Sequence, residues 1–343
     1  MKRKGMNYDV GRVLEGIAMR PTFVAEVVHR ELEIIKNDLH CNAVRICGLD
    51  INRLMVAAED ALKQGLEVWL SPEMFEESQP ETLDYIVQCA ARAETLHQQW
   101  PQLVLSLGTE LTLFMQGILE GNNLFERMGH PSFWENIKAG IHNKPLNAFL
   151  AQANKAVRQV YHGNITYASA PLEAVDWSLF EFVCVDYFRD ARIRDAFGDH
   201  IKRHFAHGKP VIITEIGCCT YQGAEDAGGM GWAIVDFGKM PLQLNGDYVR
   251  DEGVQARELT DVLGILDGIG VDGVFVFTFV SPTSTYSADP RYDLDMPSYS
   301  LVRSYVDKHG VTYPDMPWEP KKAFKAVADY FAKHQAGERE NGA

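Results

Sequence analysis

No stretch of this chain approaches the roughly 20 consecutive apolar residues of a membrane-spanning helix, so no membrane span is expected. The opening MKRKGMNYDVG is basic, but no apolar segment of roughly 7–15 residues follows it. A secretory leader is therefore not expected, and the chain reads as cytoplasmic. The six cysteines (Cys41, Cys47, Cys89, Cys184, Cys218, Cys219) contain no CxxC pair and mostly lie within apolar runs. They read as buried, reduced thiols rather than a disulfide framework or a zinc ribbon. Positive charge is also scarce. A net charge of −14 argues against nucleic acid or an anionic membrane as the main partner. A GxGxxG after the first strand is missing, as are HExxH, internal repeats and low-complexity linkers. These absences argue against a dinucleotide fold, a zincin site and a repeat architecture.

What is present is alternation. Eight short apolar runs, at 4–10, 43–48, 66–73, 103–110, 164–170, 180–188, 210–217 and 271–280, are separated by amphipathic helical patterns. That order is the mark of βα units around a parallel sheet. Eight of them predict a single-domain (β/α)8 barrel over 1–343, with a disordered tail from about 336. Gly65, Gly163, Gly208 and Gly270 stand where helices give way to strands and are expected to cap them. Connections before strands are short, whereas those after strands four, seven and eight are long (roughly 114–144, 218–250 and 281–320). In such barrels the loops after strands build the site.

Two of the runs end in glutamate: LVLSLGTE at Glu110 and KPVIITE at Glu215. A carboxylate at the end of a buried strand is costly to desolvate and calls for compensation. Side-chain alternation groups Glu110 with Gly108, Ser106 and Val104 on the inner face, with Leu103, Leu105, Leu107 and Thr109 on the outer one, and groups Glu215 with Ile213 and Val211. Two carboxyls converging at a barrel mouth, one protonated and one ionised, are what retaining glycoside hydrolysis needs. The bland alternative is a pair of strand-end carboxylates that cap helices or meet arginines.

Other strand ends supply further candidates. Arg45 could hold a carboxylate ionised, Glu73 could widen an acidic mouth, and Tyr187 could donate its hydroxyl to Glu215. The phase of the sixth run turns Asp186 away, toward a structural role. Tyr8 or Asp9 could line the floor. In the long loops, Trp232, Tyr292 and Asp293 suit a polyhydroxylated ligand. A divalent metal held by Glu73, Glu110, Asp186 and Glu215, as in a sugar isomerase or epimerase, is a rival arrangement, although no strand ends in histidine. His200, His204 and His207 share a helix face and read as solvated. A barrel that binds a sugar or metabolite without hydrolysis is the third reading. No metal and no cofactor are expected, and the expected partner is a small-molecule or oligosaccharide substrate.

Glutamates closing strands four and seven, with ITEIG at the seventh, resemble clan A (β/α)8 glycoside hydrolases. That resemblance implies a retaining glycosidase with Glu110 as acid/base and Glu215 as nucleophile. It also implies an arginine on strand two, here Arg45, and an aromatic near the end of strand eight, here Phe277 or Phe279. Thr109 stands where the clan has an asparagine that contacts the sugar 2-hydroxyl. KGMNYDVG and CNAVRICG are also similar to a group of uncharacterised actinobacterial-type barrel proteins, some labelled abortive infection proteins.

Overall fold

A computed structural model describes residues 1–340, with side chains through Lys333. The expectation for the tail from about 336 therefore falls outside the described side chains. The eight expected strands form a closed, all-parallel barrel: β1 (Arg3–Asp9), β2 (Ala43–Gly48), β3 (Glu67–Pro72), β4 (Val104–Thr109), β5 (Asn164–Ser169), β6 (Val183–Asp186), β7 (Val211–Ile216) and β8 (Gly273–Val276). Around the ring the order is β1-β8-β7-β6-β5-β4-β3-β2. β6 and β8 are shorter than the apolar runs that announced them, because the flanking residues turn into loops.

Helices cover the outside, for example Ala25–Asn37, Ile51–Lys63, Gln79–His97, Asn143–Val157 and Glu252–Ile269. Their starts are written in the sequence. Asp50 accepts from the amides of Asn52 and Arg53, and Ser78 with Glu81 forms a capping box. The β5–β6 connection holds only a 3-10 turn, Trp177–Leu179, and the 193–207 pattern breaks into short helical pieces around Phe197–Lys202. Gly65, Gly208 and Gly270 adopt the left-handed backbone expected of caps. Gly163 does not, and is needed for space: a Cβ there would lie 2.5 Å from the Tyr161 hydroxyl.

The barrel interior is layered from apolar to charged. At the N-terminal end Arg3 lies over Trp69 and Phe182 and pairs with Glu67 and Asp272. Above it Ala43, Trp69, Val104, Phe182, Cys184, Ile212 and Phe275 fill the centre, one residue from nearly every strand. The leucines of β4 (Leu103, Leu105, Leu107) pack outward, beneath the helices. Above the apolar layer, at the C-terminal ends of the strands, the interior becomes almost wholly ionic.

Candidate active site

Two bulges decide which side chains reach that mouth. Against β6 and β8, β7 carries one extra residue between Ile213 and Ile216. The alternation therefore inverts. Ile212 fills the barrel centre while Val211 and Ile213 pack outward, yet Glu215 still points inward. This corrects the expected grouping of Glu215 with Val211 and Ile213. In β4 the pairing with β5 jumps from Ser106↔Thr166 to Thr109↔Ala168, and Gly108 takes a φ of +120°. Thr109, expected outside with the leucines, is swung inward. A bulge re-aims side chains in this way wherever one residue is added to a ladder.

Arg45 is the hub. Its Nη1 donates to Glu215 Oε1 at 2.8 Å and to Asn7 Oδ1 at 2.9 Å. Its Nη2 donates to Glu73 Oε1 at 2.9 Å and Ser71 Oγ at 3.0 Å. Asn7 in turn donates to the Thr214 carbonyl at 2.8 Å, tying β1 to the bulge that carries Glu215. A second guanidinium, Arg12, is held by Asp9 at 2.9 Å, approaches Glu73 Oε2 at 3.5 Å and lies 5.0 Å from the Phe277 ring. Asp186 is fully buried, accepts from Thr109 Oγ1 at 2.8 Å and stands in register with Glu215.

Glu110 follows β4 in a left-handed conformation, φ 43° and ψ 44°. Hydrogen bonds fix it on both sides. Its own amide donates to the Ala168 carbonyl, and the next amide, of Leu111, donates to the Tyr167 hydroxyl at 2.7 Å. That hydroxyl donates to Glu173. A non-glycine residue held this way costs backbone energy, a burden that collects at functional sites.

The electrostatics separate the two glutamates. Burial and the charge of Asp186 push Glu215 up, to about 8, while Arg45 and Arg12 pull it down. Glu110 is driven further above the usual carboxylate range. Burial is the main cause, then the charges of Asp186, Glu215 and Glu173, with Arg45 opposing. Asp186 is also raised, first by burial, with Arg45 and the hydroxyls of Thr214 and Thr109 opposing. Five carboxyls (Asp9, Glu73, Glu110, Asp186, Glu215) thus share two guanidiniums. Of the two glutamates, Glu110 is the more strongly raised.

The other sequence candidates divide. Glu73 and Arg45 belong to this cluster, Glu73 as a buried ion-pair partner rather than a widener of the mouth. Phe277 borders it beneath Arg12, and the Phe277–Thr278 peptide is cis, whereas Phe279 packs on Tyr8 and Trp318 in the core. Tyr187 does not reach Glu215: its hydroxyl is 3.0 Å from His200 Nδ1, under the outer helix. The bulge in β7 is the reason, because it brings Asp186 rather than Tyr187 opposite Glu215. Asp186 is accordingly corrected from an outward residue to an inward one. Tyr8 also turns outward, to Glu31 at 2.5 Å, and Asp9 organises Arg12 instead of lining a floor.

Asp293 is buried and bound by Arg250 at 3.0 Å, so it ties the loop after β8 to the loop after β7 and presents no free carboxylate. Tyr292 is exposed on a 3-10 turn that packs on Gln243–Leu244. Trp232 joins an aromatic trio with Phe125 and Phe237 at the rim. Among the described residues no three His, Cys, Asp or Glu side chains are arranged to hold a metal ion. Burial raises the Cys218 and Cys219 thiols. Sequence reasoning missed Asn7, Arg12 and the inward Asp186. Asn7 alone carried a signal, a polar residue inside an apolar strand.

No protein-family profile and no curated protein sequence matches this chain. Solved structures do. A GH113 β-1,4-mannanase superposes with a TM-score of 0.62 at 12% identity, covering 96% of this chain and 99% of that one. The GH113 β-mannanase of Alicyclobacillus acidocaldarius, solved in complex with ManMIm, gives 0.60 at 15%, covering 96% and 97%. A GH5-4 broad-specificity endoglucanase from a Clostridium gives 0.57 at 10%, covering 97% of each chain. At these identities the likeness is one of fold. Among the described residues, no helix is long and apolar enough to cross a membrane.

Proposed function

We propose that the protein is a retaining glycoside hydrolase, with Glu215 as nucleophile and Glu110 as acid/base. One observation carries the reading. Two glutamates end β4 and β7 in one ionic mouth, and only Glu215 is bonded to a guanidinium. The Glu215 carboxylate attacks the anomeric carbon while the bond to the leaving oxygen breaks and Glu110 gives that oxygen its proton. Water then attacks the glycosyl ester, Glu110 takes the water's proton, and Glu215 departs as carboxylate. Arg45 draws Glu215 toward ionisation, so that it gives up its proton before Glu110, which holds its own at pH values where a free glutamate does not. The overall similarity to β-mannanases and an endoglucanase supports a β-linked sugar as the first class to try.

Aryl glycosides of several β-sugars test the reading. Glu215→Ala should abolish turnover, and added azide should then give the inverted glycosyl azide. Glu110→Ala should spare dinitrophenyl glycosides, which leave without a proton, and azide should accelerate it to a product of retained configuration. The reverse pattern in the two variants would reject the roles. If the wild-type protein cleaves no glycoside at all, hydrolysis itself is rejected in favour of binding without turnover.

A further inference from the structure

The loops after β1, β3, β4 and β7 meet one another at the C-terminal end of the barrel. After β4 the chain is anchored on the β3 side, where Phe114 stacks on Phe75 with ring centres 4.3 Å apart. Nearby, Gln116 Nε2 donates to the Glu76 carbonyl at 2.6 Å. The chain then forms the short helix Leu124–Gly129, whose buried Arg127 donates to the Leu113 carbonyl at 2.6 Å. The hairpin after β1 closes against the same place: the Glu15 amide donates to Glu76 Oε2 at 3.1 Å, within the field of Glu126 and Arg127.

At the other end Phe125 meets two rings of the loop after β7. Its centre is 5.8 Å from that of Trp232 and 5.2 Å from that of Phe237, and those two are 5.9 Å from each other. β3 and β7 stand diametrically opposite in the ring. A segment fastened to the loops of both links opposite sides of the barrel mouth. At the mouth Glu215 is only 7% exposed and Asp186 not at all, while Glu110 is half-buried. Phe125 and Phe237 remain 37% and 48% exposed, so their outer faces are open to solvent.

We propose that this aromatic clasp makes the mouth a blind pocket that admits a saccharide by its end, so that the protein trims terminal sugars or short glycosides and does not cut within a polymer. This rests on the glycosidase reading above. Cleaving an internal bond requires sugar units on both sides of the carboxyls, hence an open trench where the three rings now meet. The clasp is made of loop side chains, so opening it leaves the barrel intact.

The test compares an aryl glycoside, an oligosaccharide labelled at one end, and a cross-linked dyed polysaccharide of the same sugar. The wild-type protein should cleave the first, shorten the second by terminal units, and release no dye from the third. In Phe125→Ala the ratio of polymer rate to aryl glycoside rate should rise at least tenfold. Dye release by the wild type at a rate comparable to aryl glycoside cleavage, or no rise in Phe125→Ala, overturns the inference while leaving the hydrolase reading intact. A readout without catalysis covers the opposite case. All six native cysteines are buried, so a Phe125→Cys, Phe237→Cys variant can be joined by a short bifunctional thiol reagent and the cross-link read by mass. Rapid cross-linking of the folded protein supports the clasp even if no glycoside is cleaved, and failure to cross-link overturns it whatever the chemistry.

Discussion

Replacing Arg45 by methionine keeps most of the side-chain volume and removes the charge at the centre of the cluster. Four hydrogen bonds disappear, two of them to the buried carboxyls of Glu73 and Glu215. Breaking a buried ion pair by removing one partner costs about 3–5 kcal/mol, because the remaining charge is left uncompensated. An unfolding entropy of about 2.1 cal/mol/K per residue gives about 0.7 kcal/mol/K for a chain of this length. The expected loss in Tm is therefore about 4–7 K near pH 8.

The pH dependence has a definite sign. Glu215 already has a folded-state pKa raised above the unfolded value, so its contribution favours the folded state at low pH and is lost as pH rises through about 8. Without Arg45 the folded-state pKa rises further, and the Tm deficit should deepen from pH 5 to pH 9. Activity should show the same cause. Losing an opposite charge raises a carboxyl by about 1–3 pH units, so kcat/KM at pH 8 should fall by about fivefold or more and partly recover at higher pH. Calorimetry and aryl glycoside kinetics across that range check both. A Tm change under about 1 K, or a deficit larger at pH 5 than at pH 9, would refute the assignment of Arg45 as counter-charge.

Three further outcomes follow from the same cluster. In Asp186→Asn a negative neighbour of both glutamates is lost, so both limbs of the pH–activity profile should move to lower pH, by about one unit; a profile that stays in place means Asp186 is neutral throughout. Thr109→Val removes the hydroxyl that donates to Asp186 Oδ2, and thermal melts should show a loss of about 1–3 kcal/mol, whereas Thr109→Ser should be nearly silent. Exhaustive chelation should leave activity and Tm unchanged, because no step assigned to Glu110 or Glu215 draws on a cation; a loss restored by Mg²⁺ or Mn²⁺ would favour the isomerase-type reading.

The barrel was legible because most βα units repeat a local pattern: a short apolar run, then an amphipathic helix, in several cases capped at its start or ended by a glycine. The two glutamates were legible for a similar reason, since a lone carboxylate closing an apolar run stands out. Which way their neighbours point was not. The bulges in β4 and β7 arise from pairing with strands tens of residues away, and a one-residue insertion inverts the inner and outer faces. Regular alternation therefore turns Thr109 outward and sets Tyr187 opposite Glu215, whereas the bulges bring Thr109 inward and set Asp186 there. Arg12 had no pattern to betray it, because a loop arginine becomes a site residue only once Asp9 folds it back over Phe277. Asp293 failed for the opposite reason. A loop rich in polar groups looks like a binding surface until Arg250 and Lys321 are found to neutralise its aspartates.

The central claim is that Glu215 forms a covalent bond with the sugar, and trapping that bond tests it most directly. The protein should be incubated with a 2-deoxy-2-fluoro dinitrophenyl glycoside of its preferred sugar, which slows release more than formation, then digested and mapped by mass spectrometry. A stoichiometric burst of dinitrophenol with the fluorosugar mass on the peptide containing Glu215, absent in Glu215→Ala, is the predicted result. A label on Asp186 or Glu110, or turnover to an inverted sugar with no labelled peptide, would contradict it.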